Sequence, residues 1–404
     1  MDASARGQRI ARARRRRGLS QAALAGLAGW SESWLSQVER GLRQVDSHSV
    51  LTSLAEILRV DVSELTGDEP GEPRGSQYAA AREIERAMMA YDALESVIEA
   101  DTAVHAPDLA RLRLEVERAN RSYQAARYEE AGRILPGLIR AVETAARTCP
   151  RTDAIAVSAL RSQVYQAATM VLSRVGETGL AWTAGDRAVT AAEHADAGLL
   201  AAMSAFRLAH VFIRRKHASQ ARDLVTGAAS ALERSGTQGD PERLSVLGGL
   251  HLADALAAAA DFDRAAADRS LTAARRVAER LGEDRNDHWT AFGPTNVRIH
   301  EVSAAVAFGD ASTAVETGET LDLQRLPAGL GGRRSQVSLD LARAYAQQRH
   351  DAAAVNMLLT AEQTAPQLVR YDTATHDLLA LLLRREHRAS TPQLRPLAHR
   401  AGVI

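Results

Sequence analysis

The sequence has very little cysteine: Cys149 is the only one among its 404 residues. One thiol cannot form a disulfide within the chain, and it cannot supply the several ligands of a cysteine-rich metal site. Familiar catalytic motifs are missing too, since there is no glycine-rich phosphate loop, no histidine pair at zincin spacing beside a carboxylate, and no serine elbow. We therefore expect no enzyme, no cofactor and no metal.

Aromatic residues (4%) and prolines (11) are also scarce, and no stretch alternates clearly between apolar and polar residues. Ala, Leu, Arg and Glu dominate, and these residues favour helices over strands. The composition therefore predicts an all-α protein. The most apolar run, residues 253–260, is too short to span a bilayer, and the charged N-terminus lacks an apolar stretch. We expect a cytoplasmic protein that makes no membrane contact.

Charge is unevenly distributed, although Lys+Arg and Asp+Glu number 50 each. Between residues 1 and 44, nine arginines stand against Asp2, Glu32 and Glu39, so this end carries +6 and the rest −6. A basic end on a slightly acidic body is typical of a protein that contacts a polyanion at one end. A solvated arginine-rich tail would give the same numbers, so charge alone leaves both interpretations open.

The basic end is predicted to hold three short helices, at about residues 5–17, 21–28 and 32–40. Ser20 and Ser31 are good N-caps for the second and third, and Gly29 supplies the tight turn between them. In the third helix Leu35 and Val38 point inward, which leaves the polar residues on the outer face. A short helix with a polar outer face suits the major groove of DNA.

Four runs carry a specific resemblance: LSQAALA at residues 19–25, AGWS at 28–31, LSQVERG at 35–41 and LAEILRV at 54–60. They resemble the XRE (Cro/C1-type) helix-turn-helix family. The resemblance implies a five-helix domain that binds a double-stranded DNA operator as a homodimer. It implies phosphate contacts from Gln21 and Arg43, a DNA-facing surface of Glu32, Ser33, Ser36, Gln37 and Arg40, and a buried structural pair of Arg14 and Glu39. The chain departs from the family at Val45-Asp46, where proline is frequent, and at Trp34, where Tyr or Thr is common.

Residues 67–76, GDEPGEPRGS, have no apolar anchor and predict a linker between a domain at 1–66 and a helical domain at 77–404. A long helix at about 77–100 is expected next, either pairing with its copy in a dimer or opening the body. Farther on, a turn followed by a small residue recurs at residues 127–131, 216–221, 261–265, 309–314 and 350–354, and more weakly at 179–184. The irregular spacing predicts a divergent tetratricopeptide-like superhelix of five or six helix pairs.

One stretch interrupts this background: residues 287–300, DHWTAFGPTNVRIH. The candidate ligand-binding residues in this stretch are Trp289, Asn296 and His300. Weaker candidates at similar spacing on other predicted helices are Arg207 with His210, and Arg161 with Tyr165. A structural turn with a satisfied His and Asn explains the same pattern.

The whole plan resembles actinobacterial regulators of this type and the peptide-sensing quorum regulators. We therefore expect a transcriptional regulator whose repeat domain dimerises and senses a peptide or small-molecule effector. The alternative is an interaction scaffold in which the helix-turn-helix only localises a partner protein.

Overall fold

The computed structural model describes residues 3–17, 19–43, 45, 48–58, 60, 65, 78–90, 108–235, 239–387 and 389–404. These residues are largely helical and contain no strand, which confirms the all-α prediction. The chain divides into two compact units, residues 1–77 and 78–404. The predicted linker at 67–76 lies outside the described residues, so the predicted domain bounds stay predictions. Spanning a bilayer takes a long, apolar helix, and none of the described helices is one.

Four helices of the first unit are described: α1 (Ala3–Arg16), α2 (Gln21–Ala28), α3 (Glu32–Glu39) and α4 (His48–Leu58). Of the predicted fifth helix, only Leu65 lies within the described residues, and its side chain is fully buried. One apolar core joins these elements, and its members include Ile10, Leu24, Leu35, Val38, Leu51, Leu54, Leu58 and Leu65.

The turn between α2 and α3 has the predicted caps. The Ser20 hydroxyl accepts the N–H of Ala23 at 3.0 Å, and the Ser31 hydroxyl accepts the N–H of Trp34 at 3.1 Å. Gly29 adopts φ +73°, a left-handed conformation that costs glycine little. These local preferences fix the angle at which α3 leaves α2.

Helix α1 packs closely on the end of α3. A Cβ added at Gly7 would lie 2.2 Å from the carbonyl oxygen of Val38 and 2.8 Å from that of Glu39. Only glycine therefore allows α1 to approach the α3 backbone at this point.

The second unit begins with α5 (Ala80–Met89), which is shorter than the helix predicted over 77–100. Ala90 is extended, with φ −73° and ψ +116°, and residues 91–100 lie outside the described residues. Ile84, Ala87 and Met88 are buried in the core of this unit. The sequence left two roles open for this helix: pairing with its copy in a dimer, or opening the helical body. Its burial in the core agrees with the second role.

Six helix pairs follow among the described residues: α6 (Leu109–Gln124) with α7 (Tyr128–Thr148), α8 (Ala154–Arg174) with α9 (Thr178–His194), α10 (Gly198–Arg214) with α11 (Ala218–Arg234), α12 (Pro241–Ala260) with α13 (Arg264–Leu281), α14 (Pro294–Phe308) with α15 (Ala311–Glu319), and α16 (Gly331–Gln347) with α17 (Asp351–Thr364). The unit ends with α18 (Pro366–Tyr371), α19 (Thr373–Arg384) and α20 (Leu394–Arg400).

The turn inside each pair has one conformation. A residue with positive φ precedes a single residue and then the second helix, and these positive-φ residues are Ala126, Gly176, Lys216, Phe262, Gly309 and Arg349. The next amide donates to the carbonyl five positions earlier, as from His217 to Phe212 at 2.8 Å. This bond satisfies a carbonyl that the end of the first helix would leave unpaired.

The small residue of the recurring motif has a fixed place. The fourth residue of each second helix is a fully buried alanine: Ala131, Ala181, Ala221, Ala267, Ala314 and Ala354. A methyl group at this position lets the two helices approach closely just after the turn. The recurring motif of the sequence ends on this alanine in four pairs, at Ala131, Ala221, Ala314 and Ala354. The motif at 261–265 ends two residues before Ala267, and the weaker motif at 179–184 contains Ala181 but ends three residues after it.

The first and last pairs of the second unit meet. Gln124, at the end of α6, exchanges two side-chain hydrogen bonds at 2.9 and 2.8 Å with Asn286, which lies in the loop between the fourth and fifth pairs. A Cβ added at Gly332 would lie 3.2 Å from the carbonyl oxygen of Gln124, so α16 starts close to the end of α6. The superhelix of this unit therefore closes around its inner surface.

Candidate functional site

Helix α3 presents the residues that were predicted to face DNA. Leu35 and Val38 are buried in the core of the first unit and hold the back of the helix. On the other side, Glu32, Ser33 and Arg40 are exposed and Ser36 and Gln37 are partly exposed. The outer face of α3 is therefore polar, and solvent reaches it.

A buried ion pair ties α1 to the end of α3. Nε and Nη2 of Arg14 donate to the two carboxylate oxygens of Glu39 at 2.6 and 2.9 Å, and Nη1 donates to the carbonyl of Leu19 at 2.8 Å. Burial would raise the pKa of Glu39, but hydrogen bonds from Arg14 and Gln21 lower it below its ordinary value. The Gln21 bond, Nε2 to Glu39 at 2.7 Å, gives Gln21 a structural role that sequence reasoning missed.

Arg43 is exposed just beyond α3. Its guanidinium carbon lies 6.0 Å from the centre of the Trp34 ring, and the Trp34 and Trp30 rings lie 4.4 Å apart. Both tryptophans pack against the core of the first unit. Trp34 thus supports Arg43 at the edge of the α3 face.

The inner surface of the second unit encloses a cavity of about 460 Å³, here called the central cavity. All six first helices of the pairs contribute to its wall, which combines apolar side chains with a large number of charged ones. Its apolar side chains are Met170, Phe206, Ile213, Leu256, Trp289, Val306 and Leu330, and its charged side chains are Arg174, Arg207, Arg214, Arg333, Arg343, Asp340 and Asp372.

Asp372 is the centre of charge pairing in this wall. Its carboxylate lies 3.6 Å from Arg174, 3.5 Å from Arg214 and 3.3 Å from Arg343, and it accepts two hydrogen bonds from Thr375. Burial would raise the pKa of Asp372, but the three arginines lower it to about 2. The Asp372 carboxylate therefore remains charged at any ordinary pH, and it pairs with all three arginines.

Arg207, His210 and His300 line the same cavity. Nη2 of Arg207 donates to the carbonyls of His288 and Trp289 at 3.1 and 3.2 Å. Burial and the nearby Arg333 lower the pKa of His300 to about 3, and the same causes hold the pKa of His210 well below its ordinary value. Both histidines are therefore neutral at pH 7.

A loop between the fourth and fifth pairs, residues 282–293, reaches into the cavity and is here called the inner loop. His288, Trp289 and Ala291 adopt φ of +48°, +62° and +53°, a conformation that costs non-glycine residues energy. The fully buried Phe292 anchors the loop, because its ring lies against Gly248 of α12, where a Cβ would be 1.9 Å from the ring. Such strain is frequent in ligand-binding segments.

Comparison with known proteins bears on the first unit. Residues 7–66 match a family described as a helix-turn-helix domain. The start of this chain is a helix-turn-helix domain. The match supports DNA binding, whereas the XRE subtype and the actinobacterial type stay predictions.

None of the curated proteins compared is similar enough to be a relative. Among solved structures, the chain is similar to the crystal structure of Bacillus thuringiensis PlcR in complex with the peptide PapR7 and DNA. The two are 13% identical, the likeness covers 87% of this chain and 99% of that one, and the TM-score is 0.36, too low to show a shared fold.

The structure brings together four of the five predicted ligand residues: Arg207, His210, Trp289 and His300 all line the central cavity. Asn296 is not part of the wall; it is buried, and its backbone carbonyl accepts a hydrogen bond from His300 Nδ1 at 2.8 Å. Arg161 and Tyr165 lie in another cluster, where both donate to Glu143.

Sequence reasoning missed most of the charged wall. Arg207, His210 and Arg214 recur at i, i+3 and i+7, and so do Arg333, Gln336 and Asp340, with Arg343 following. This is the spacing of one helix face, where a core-facing helix would carry apolar residues. The sequence did carry a signal for this wall: helices α10 and α16 each have a stripe of polar residues along one face, although both helices are part of the packed body.

Proposed function

We propose that this chain is a sequence-specific DNA-binding transcriptional regulator, in which the helix-turn-helix domain reads the operator and the second unit binds an effector. The observation that carries the proposal is the face of α3. Its polar residues are open to solvent, while Leu35 and Val38 anchor it to the core and the Arg14–Glu39 pair holds its end. A rigidly held helix of this kind is what the major groove accepts.

On this proposal the residues of α3 divide by role. Ser36 and Gln37, with Glu32 and Ser33, contact base edges, and Gln37 has the two-sided amide that pairs with adenine. Arg40 and Arg43 lie at the end of the helix and contact the phosphate backbone, together with Gln21. Two copies of the chain bind a roughly two-fold symmetric site whose halves lie about one helical turn, ~34 Å, apart.

For the second unit, the central cavity supports the effector role. It has the size of a small-molecule site, since such pockets measure roughly 300–1,000 Å³. The strained inner loop forms part of its wall, and six helix pairs meet around it. A peptide or small molecule bound there would favour one arrangement of the helix pairs, and it would alter DNA binding only through that preference.

The experiment that tests the DNA-binding function is selection from random DNA. Fragments retained by the purified full chain are sequenced, and a shared motif with two related halves is expected. Affinity for that motif should fall steeply with salt because phosphate contacts release counterions. Retention of DNA without any shared motif would favour the scaffold alternative, in which the domain only localises a partner.

A further inference from the structure

The wall of the central cavity holds more positive than negative charge. Five arginines line it, Arg174, Arg207, Arg214, Arg333 and Arg343, against the two carboxylates Asp340 and Asp372. Asp372 is shared by three of the arginines, and Asp340 pairs with Arg343 at 2.7 Å. Arg207 and Arg333 form no ion pair with either carboxylate among the described residues, although Asp340 is near enough to Arg333 to favour its charge.

Arg333 makes no hydrogen bond or ion pair with any residue in the described part of the chain, although its side chain lies in the cavity wall. It is close enough to Arg207, His210 and His300 to lower the pKa of each, so its positive charge acts on that whole side of the cavity. Burial and the nearby Arg174 lower the pKa of Arg333, and Asp340 offsets this only in part, so the protein leaves the charge of Arg333 incompletely compensated.

Arg207 is 4% exposed and is satisfied only in part. Its Nη2 is held by two uncharged carbonyls of the inner loop, and its Nε has no hydrogen-bond partner among the described residues. A buried charge without a counter-charge is costly, because desolvation is not repaid by a neutral dipole. Burial accordingly lowers the pKa of Arg207 to about 10, which still leaves it protonated at pH 7.

We propose that the central cavity binds a small polyanion, a compound with at least two negative charges on phosphate or carboxylate groups, which Arg207 and Arg333 neutralise. The inference rests on the effector role proposed above and names the charge class of that effector. Arginine suits such groups because its planar fork binds two oxygens at once.

Other side chains of the wall fit the same ligand. The surplus of three positive charges matches an anion of two or three charges, and a single carboxylate would leave part of it uncompensated. Tyr123 and Ser173 supply hydroxyl groups beside Arg174, while Phe206 and Trp289 offer apolar surface to an uncharged part of the molecule. A neutral ligand of similar size would leave Arg333 unpaired.

The test is calorimetric titration of the full chain, in low-chloride buffer, with inorganic pyrophosphate, citrate and acetate. Pyrophosphate or citrate should bind at least tenfold more tightly than acetate. Tight binding of pyrophosphate alone assigns a phosphate ligand, and tight binding of citrate alone assigns a polycarboxylate. Equal binding of acetate, or no binding of either polyanion, would overturn the inference.

The matched variants are Arg333→Gln, Arg333→Lys and, as a control, Arg113→Gln, which removes the same charge from an exposed site on α6. Arg333→Gln should weaken polyanion binding at least tenfold, Arg333→Lys should retain most of it, and the control should be unchanged. Because burial outweighs the attraction of Asp340 and lowers the pKa of Arg333, Arg333→Gln should also raise the unfolding temperature of the ligand-free chain. Undiminished polyanion binding by Arg333→Gln would overturn the assignment.

DNA affinity of the same preparations separates the two proposals. Specific DNA binding without polyanion binding would leave the regulator proposal standing and remove this one. Polyanion binding without specific DNA binding would leave the polyanion site standing and remove the regulator proposal.

Discussion

The ring of Phe292 occupies the space that a side chain at Gly248 would need. A Cβ at residue 248 would lie 1.9 Å from the ring tip, and Phe292 itself is fully buried. The absence of a side chain on α12 thus allows the inner loop to anchor, and the anchored loop presents the Trp289 carbonyl to Arg207.

Gly248→Ala should therefore displace the inner loop. The ring cannot share this space with a methyl group, so we expect a loss of about 1–3 kcal/mol in the free energy of unfolding and faster hydrogen exchange at residues 285–293. Adding Phe292→Leu should restore part of the loss. Gly227→Ala is the control, since it is exposed on α11 with open space around its Cβ, and it should be neutral or stabilising. Equal effects of the two alanines would contradict this account of the loop.

Arg14→Met should destabilise the helix-turn-helix domain by about 3–5 kcal/mol, because it leaves the Glu39 carboxylate buried without its partner. Hydrogen exchange of the α1 and α3 amides in the full chain measures the effect. Arg12→Met, at an exposed position of the same helix, should change little. The double variant Arg14→Met with Glu39→Met should lose less than the sum of its single variants, since it removes both charges. Strict additivity would show that the pair is not coupled.

Asp372 should make the second unit sensitive to acid. Its folded pKa of about 2 lies below the ordinary value, so the stability it contributes is present above about pH 4 and is lost as pH falls towards 2. The loss amounts to about 2 kcal/mol between pH 5 and pH 2. Urea unfolding of the wild type and Asp372→Asn at several pH values measures it as the difference in slope. Asp377→Asn, at an exposed site on α19, should keep the wild-type slope; an unchanged slope in Asp372→Asn would exclude this role.

Arg43→Gln should weaken binding to the selected operator and to unrelated DNA by similar factors, because a phosphate contact carries no sequence information. The logarithmic dependence of affinity on salt should become shallower by about one. Binding titrations at several salt concentrations, with Arg113→Gln for comparison, check this. A loss confined to the selected operator would mean that Arg43 reads bases instead.

The local parts of this fold could be predicted from sequence because they depend on neighbouring residues. Ser20, Gly29 and Ser31 define the turn before α3 by their own hydrogen bonding and φ, and the buried alanines after each turn leave a recurring motif. The helix predicted over 77–100 was too long, since periodicity cannot show that the chain becomes extended at Ala90.

The central cavity depended on contacts that sequence spacing does not reveal. Asp372 meets Arg174 across 198 residues, and Gln124 meets Asn286 across 162. Trp289 and His300 were found because they interrupt an alanine-rich background, whereas Arg333 looked like any surface arginine at the start of a helix. Only closure of the superhelix gives such residues a shared surface.

The central claim is that the outer face of α3 reads DNA sequence, and Gln37→Ala tests it most directly. The measurement compares the affinity of the full chain for the selected operator and for unrelated DNA, with Gln8→Ala, an exposed glutamine on α1, as the matched control. We expect Gln37→Ala to cost about 1–3 kcal/mol, roughly 5- to 150-fold, at the operator and to leave binding to unrelated DNA and the Gln8→Ala control unchanged. Operator preference equal to that of the wild type would contradict the assignment of α3 as the reading helix.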